Sequence, residues 1–246
     1  LPNGKTLFFY KNRNPFNSST TVNLCYDKSL TLDFFDKFKI PTPDTEVILN
    51  PFYPNHTSSK KIFNDCDELF DFAVQKFGLP FIYKKAISSL SKHVYLISTK
   101  EQLQARWNEF FYEGSEKNNM LVQKYISGRE FRVVIFKGKV LLAYEKISNQ
   151  SLADRVINED LNPLHSGYPV RIDEPELLAK FAPIATDLYT KLQLDFTGAD
   201  IILKDDGELT VLEVNASPAC FFYNSTYGRA DFTKVYQVCL QEYLRS

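Results

Sequence analysis

The sequence is sparing with several residues that much enzyme chemistry relies on. Of 246 residues only 9 are glycine and 3 are histidine, with a single Met and a single Trp. His56, His93 and His165 have no partner at a spacing that suggests a Ser–His–Asp or Cys–His nucleophile. The 4 cysteines, Cys25, Cys66, Cys220 and Cys239, are scattered and form no C-x-x-C pair. That argues against a zinc site and predicts free buried thiols in a reducing compartment. No apolar run approaches the roughly 20 residues of a membrane helix; FRVVIF and KVLLAY have strand length. Neither charge sign dominates, with Lys+Arg 29 against Asp+Glu 30 and a net charge of -1. This excludes a nucleic-acid binder working through bulk positive charge. Nucleic acid and membrane are therefore not expected partners. The opening LPNGKT has no cationic start followed by an apolar stretch, so no signal peptide is read. A cytoplasmic location is expected, and the missing initiator Met suggests a trimmed or excised chain. The Asn-x-Ser/Thr sequons at Asn17, Asn55 and Asn224 are expected to be chance occurrences.

What is present reads as a globular α+β chain. Apolar residues make up 44% and aromatics 15%, the latter mostly for core packing. Thr6–Tyr10 is a short strand candidate, and apolar spacing predicts a helix over Ser29–Lys39, ended by the prolines of IPTP. Residues 50–60 read as a loop. Helices are predicted over Asp67–Phe77, from Thr99 with a Thr-Lys-Glu-Gln capping box, over Glu174–Leu192 with Pro183 inside, and over Asp231–Leu244. Strands are predicted at Phe81–Tyr83, Val94–Ile97 and Leu121–Ile126. Two hairpins follow, Glu130–Phe136 with Val140–Lys146 and Ala199–Leu203 with Leu209–Val214. Residues 148–170 read as a long functional loop. The several hairpins favour antiparallel sheets over a doubly wound parallel one.

The stretch GADIILKDDGELTVLEVNASP carries the most chemistry. A two-residue turn at Asp206-Gly207 pairs Asp205 with Glu208 and Lys204 with Leu209, and so sets Asp200 opposite Glu213. Like charges facing each other across a ladder are destabilising. Asn215 lies on the same face as Glu213. Two carboxylates and an amide oxygen on one face suit Mg²⁺, which would relieve the repulsion; a solvated hairpin end is the competing reading. A turn shifted by one residue would break this pairing.

Two further features point the same way. Gln123-Lys124-Tyr125-Ile126 offers backbone groups at the end of a strand, Gly128 permits a sharp turn, and Glu130 and Arg132 then share a strand face, with Lys146 ending the next strand. Lys84 ends an apolar strand beside the loop SSLSK, whose amides and hydroxyls can hold phosphate. Each is weak alone, since exposed hairpins with alternating charge and solvated lysines are common.

Taken in order, DK before a helix, a strand ending in Lys, Q-x-Y-I-x-G-x-E-x-R and D…E-V-N-x-S-P resemble the ATP-grasp superfamily. The look is nearest to the ribosomal-protein glutamate ligases and the ATP-grasp part of cyanophycin synthetase, and D-alanine–D-alanine ligase is similar at the same points. The resemblance covers roughly residues 20–225. It implies an ATP-grasp fold in which two subdomains with antiparallel sheets sandwich the nucleotide. Residues 1–60 would be an N-terminal remnant and lead-in helix, 61–126 the smaller lid subdomain, and 127–246 the larger subdomain with the metal site. It further implies Lys28 and Lys84 on the phosphates, and Ser88, Ser89 and Ser91 on the closing loop. Gln123, Lys124 and Ile126 would form the adenine hinge, with Glu130 on the ribose. Asp200, Glu213 and Asn215 would be ligands of Mg²⁺, or of Mn²⁺ in its place. Arg132 would face the reacting carboxylate, Lys146 would stand where these ligases often have arginine, and Arg229 would contact an acidic substrate.

The activity this implies is ATP-dependent joining of a carboxylate to an amine through an acylphosphate. The reactants would be small molecules such as amino acids or peptides, or a protein terminus. The sequence departs from the family pattern twice. SSLSKH contains no glycine where the phosphate loop is usually glycine-rich, and few residues precede Lys28 where these ligases carry a further α/β domain. That domain is expected to be removed, reduced or on another chain. A protein-modifying ligase, a non-catalytic nucleotide-binding module and an ATP-grasp kinase are the alternatives.

Overall fold

The computed structural model describes residues 6–10, 13–52, 60–88, 93–111, 119–149 and 167–245. Two helices, α1 (Ser19–Tyr26) and α2 (Lys28–Phe38), lead in. Asp27 caps α2 by accepting from Ser29 N, and Lys39 ends it in a left-handed conformation. Next come β1 (Thr45–Leu49), β2 (Lys61–Ile62), α3 (Cys66–Phe77), β3 (Phe81–Lys85), β4 (Val94–Ile97), α4 (Lys100–Phe110) and β5 (Met120–Lys124). They form one five-stranded sheet in the order β2-β1-β5-β3-β4, antiparallel except for the β1–β2 pair. The expected capping box is formed: Thr99 accepts from Gln102 N, and the Gln102 side chain returns to Thr99 N.

The second sheet has the order β10-β9-β6-β7-β8 and is antiparallel throughout. Its strands are β6 (Arg129–Phe136), β7 (Lys139–Ser148), β8 (Gly167–Arg171), β9 (Phe196–Leu203) and β10 (Leu209–Asn215). Helices α5 (Pro175–Leu192), α6 (Phe221–Tyr227) and α7 (Ala230–Arg245) complete it.

Strand alternation sorts the side chains into layers. On β6, Phe131, Val133 and Ile135 pack with Phe181, Leu188 and Leu192 of α5, and Phe35 of α2 joins this core. The opposite face buries Val134 and Phe136 against Phe16, Tyr223 and Cys239. In the first sheet, Tyr83 and Val122 pack on α3 and α4 with Leu103 and Trp107, which leaves Lys84 and Gln123 on the other face. Leu32 of α2 packs against Leu121 there, bringing the two units together.

Several expectations need correcting. Thr6–Tyr10 is not a strand: Tyr10 makes only an isolated bridge to Arg13. The segment 1–60, expected to be a lead-in, also supplies β1, which pairs along β5 inside the first sheet. β8 emerges within 148–170, and the rest of that stretch, 150–166, lies outside the described residues. Among the described residues, no helix is long and apolar enough to cross a membrane, and all 4 cysteines are free.

Candidate active site

Asp200 is the hub of the site. In the ladder of the second sheet it lies between Arg132 of β6 and Glu213 of β10. Arg132 grips it edge-on: Nε donates to Oδ1 at 2.6 Å and Nη2 to Oδ2 at 2.9 Å. Lys146 Nζ donates to Asp200 Oδ1 at 2.8 Å and to Glu130 Oε1 at 2.7 Å. Burial works against charge on Asp200, yet Arg132 and Lys146 hold its carboxyl below the usual range. Burial likewise opposes the charge on Arg132 and Lys146, and Asp200 keeps both cations above their ordinary values. The like-charge repulsion expected between Asp200 and Glu213 is therefore already countered by protein cations.

The pairing of Asp200 with Glu213 is as expected, but not by the expected route. The loop spans Lys204–Glu208, closed by Lys204 N donating to Glu208 O at 2.9 Å, and the first ladder pair is Leu203 with Leu209. That register is one residue off the one predicted. A bulge between Val211 and Glu213, at Leu212, then restores the alignment.

Lys28, at the start of α2, spans the cleft between the sheets. Its Nζ donates to Ser88 O at 2.8 Å and lies 3.7 Å from Glu213 Oε2, and its backbone N donates to Ala86 O. Lys84 is buried and donates to Gln123 Oε1 at 3.0 Å. Gln123 Nε2 in turn donates to Thr45 Oγ1 at 2.7 Å, and Thr45 Oγ1 to Pro43 O. Burial brings the Lys84 ammonium down to about 8; Glu213 pulls upward, and Lys28 adds to the lowering. Lys28, Lys84, Leu121, Leu212 and Glu213 line one cleft.

The remaining expected residues are more dispersed. The Gln123 side chain is committed to Lys84 and Thr45, and the Lys124 backbone N–H to Asp44 O. Ile126 is half-buried just past β5. Asn215 is exposed at the end of β10, and its Oδ1 accepts from Ser217 N at 3.2 Å. Arg229 is exposed beside α7 and forms no ion pair with a described residue. Ser89 and Ser91 lie outside the described residues.

Sequence reading missed Thr45, Asn17 and Gly198. Asn17 Nδ2 donates to Phe196 O at 2.6 Å and Ala216 O at 2.9 Å, which ties the N-A-S-P loop to β9 and engages the amide of that sequon. A glycine inside an otherwise apolar strand was the available signal for Gly198.

A cleft lined by Lys28 of α2, Lys84 of the first sheet and Glu213 of the second bears comparison with known proteins. The family profile of the RimK-like ATP-grasp domain matches residues 26–231. The chain belongs to the RimK-like ATP-grasp family. It is 28% identical over 143 residues to a D-alanine–D-alanine ligase of Trichlorobacter lovleyi, covering 58% of this chain and 44% of that one. It is 24% identical over 204 residues to the N-acetylaspartylglutamate synthase A of Mus musculus, covering 82% and 47%. This ATP-grasp chain thus spans about half the length of these curated relatives. Among solved structures, D-alanine–D-alanine ligase of Bacillus anthracis superposes with a TM-score of 0.61 at 24% identity, covering 82% of this chain and 60% of that one. The ATP-grasp ligase PsnB, complexed with a precursor peptide and AMPPNP, gives 0.54 at 17% identity, covering 85% and 55%. These likenesses establish the ATP-grasp fold.

Proposed function

We propose that the protein is an ATP-dependent carboxylate–amine ligase. The observation that carries this reading is the row Arg132–Asp200–Glu213 across three strands, whose Glu213 end lines the cleft with Lys28 and Lys84. The names of the curated relatives, ligases and synthases, support it. In the reaction, a substrate carboxylate oxygen attacks the γ-phosphorus of ATP and ADP leaves. An amine then attacks the acyl carbon of the acylphosphate, inorganic phosphate leaves, and an amide forms. The protein's task is positioning and charge neutralisation.

Lys28 and Lys84 hold phosphate oxygens, with Ser88 and the following Ser89 and Ser91 on the closing loop. Gln123 keeps Lys84 aimed, while backbone groups through Lys124 and Ile126 border the base and Glu130 accepts from the ribose. Arg132 and Lys146 offset negative charge as it develops, and Arg229 is the rim contact for an acidic substrate. The first sheet acts as the lid and the second as the base.

The family implies a divalent cation, and the donor chemistry fits one. Glu213 is half-exposed with a single cation 3.7 Å away, and the Asn215 oxygen retains a lone pair beyond its bond to Ser217. Asp200 is the member already compensated. Among the described residues no three carboxylate, imidazole or thiol side chains gather at one point; the Asn215 amide oxygen would be the third donor. Glu213, Asn215 and Asp200 would hold Mg²⁺ or Mn²⁺, which would supply Lewis-acid neutralisation of phosphate charge.

The reactants are an amino acid or peptide on each side; a peptide is supported by the complex of the neighbour PsnB with its precursor. Four free thiols support a reducing, cytoplasmic location. The test is incubation of Mg·ATP with pooled amino acids and small peptides. Pool-dependent ADP release with a product lighter by one water than its two parents is expected. Nucleotide binding without pool-dependent release would contradict the reading.

A further inference from the structure

Gly198 lies inside β9, where a glycine weakens a strand. Its φ is outside the left-handed region, so the backbone conformation does not demand glycine. The space around it does. A Cβ at this position would stand 2.8 Å from Pro218 Cβ, 3.0 Å from Arg132 Nη1 and 3.2 Å from Arg132 Cδ. In the ladder Gly198 sits between Val134 and Asn215, two rows from the Arg132–Asp200–Glu213 row and so on the same face. The Arg132 stem therefore passes over Gly198 on its way to Asp200, with Nε and Nη2 on the carboxylate and Nη1 over the glycine.

The two neighbours differ in freedom. Pro218 is a buried ring on a loop held by Asn17, whereas Arg132 is long and many-jointed. A methyl group added at 198 would meet both: the clash with the Pro218 ring stays whatever Arg132 does, and the crowding against Arg132 is relieved by moving the guanidinium.

We propose that Gly198 is a positioning residue for the ligase reaction: its missing side chain is the slot that lets Arg132 lie across β9 and grip Asp200 with two parallel hydrogen bonds. This rests on the ligase reading insofar as Arg132 serves the reaction; the slot itself is independent of it. The nucleotide grip of Lys28 and Lys84, across the cleft, does not pass through Gly198.

The experiment is a double-mutant cycle with wild type, Gly198→Ala, Arg132→Ala and the double variant, read by urea unfolding. Gly198→Ala should lower the folding equilibrium constant at least about fivefold more when Arg132 is present than in the Arg132→Ala background, where only the Pro218 contact remains. Equal losses in both backgrounds, or no loss in either, would overturn the slot. If Gly198→Ala yields no folded protein, the cycle is run in a Pro218→Gly background, which removes the other contact; there a folded double variant supports the slot and an unfolded one overturns it. A readout that mere structural damage would not give is the Nε–H NMR signal of Arg132, assigned by its loss in Arg132→Ala. It should shift and exchange faster in Gly198→Ala, and an unmoved signal would overturn the proposal. Affinity for AMPPNP should stay within about twofold of wild type, and kcat in the pooled-substrate assay should fall about tenfold with KM for ATP unchanged. An unchanged kcat alongside a positive cycle overturns the positioning role. If wild type itself shows no turnover, the ligase reading fails, and the cycle and the NMR signal still decide the slot.

Discussion

Asp200 faces Glu213 across the β9–β10 ladder because Leu212 bulges out of it. The bulge does more than align two carboxylates. It puts an apolar side chain beside Glu213 in the cleft that Lys28 and Lys84 line from the other side. On its other flank Asp200 meets Arg132, and with Lys146 two cations compensate the one buried carboxylate.

Glu213 is half-exposed and carries little of the fold, whereas the reading gives it a central role in the chemistry. Glu213→Ala should leave the thermal midpoint within a few degrees of wild type and lower turnover about a hundredfold or more. Parallel calorimetry and ADP-release assays check both halves.

Removing Arg132 should cost much more in stability. Its partner Asp200 is almost fully buried, and Lys146 alone would be left to balance it. Arg132→Met should destabilise by roughly 3–5 kcal/mol, while Arg132→Met with Asp200→Leu should lose less than the single change. Urea unfolding of the three proteins gives the comparison.

The pH dependence of nucleotide binding follows from Lys84. Burial lowers its ammonium to about 8, and Gln123 offers it only a neutral oxygen. The cation that grips phosphate is present below that value and is lost as pH rises through it. Affinity for AMPPNP should therefore fall above about pH 8, by up to about tenfold per unit. Gln123→Glu places a negative charge on Lys84, and should move the fall to higher pH. Titration calorimetry from neutral to alkaline pH measures it.

Asn17 should matter although it lies far from the chemistry in sequence. It donates to Phe196 O and Ala216 O and accepts from Phe196 N. Asn17→Ala leaves these groups without their partner, and should cost about 1–3 kcal/mol in urea unfolding.

The sequence made local features legible and distant ones obscure. The Thr99 capping box and the Glu130–Lys146 hairpin depend on residues a few positions apart; the box forms as read, and the hairpin forms with Lys139 paired to Phe136 instead of in the turn. Strand β1 was missed because TEVIL lies between two prolines and a loop, and its pairing is with β5, far along the chain. The partnership of Lys84 with Gln123 spans 39 positions and that of Arg132 with Asp200 spans 68, so no periodicity reveals either. The pairing of Asp200 with Glu213 came from a turn one residue out of place, offset by a bulge that carries no sequence signal. The order of the lysines, carboxylates and Asn215 in motifs made the family legible. The neutral partner of Lys84 and the slot at Gly198 were not, since both depend on what packs beside them.

The central claim is that a substrate carboxylate attacks ATP. The most direct test supplies the amino-acid and peptide pool with heavy oxygen in its carboxylates, and examines the phosphate released with ADP by mass spectrometry. Attack through an acylphosphate predicts one heavy oxygen in each phosphate formed during ligation. ADP formation with phosphate free of heavy oxygen would contradict the account.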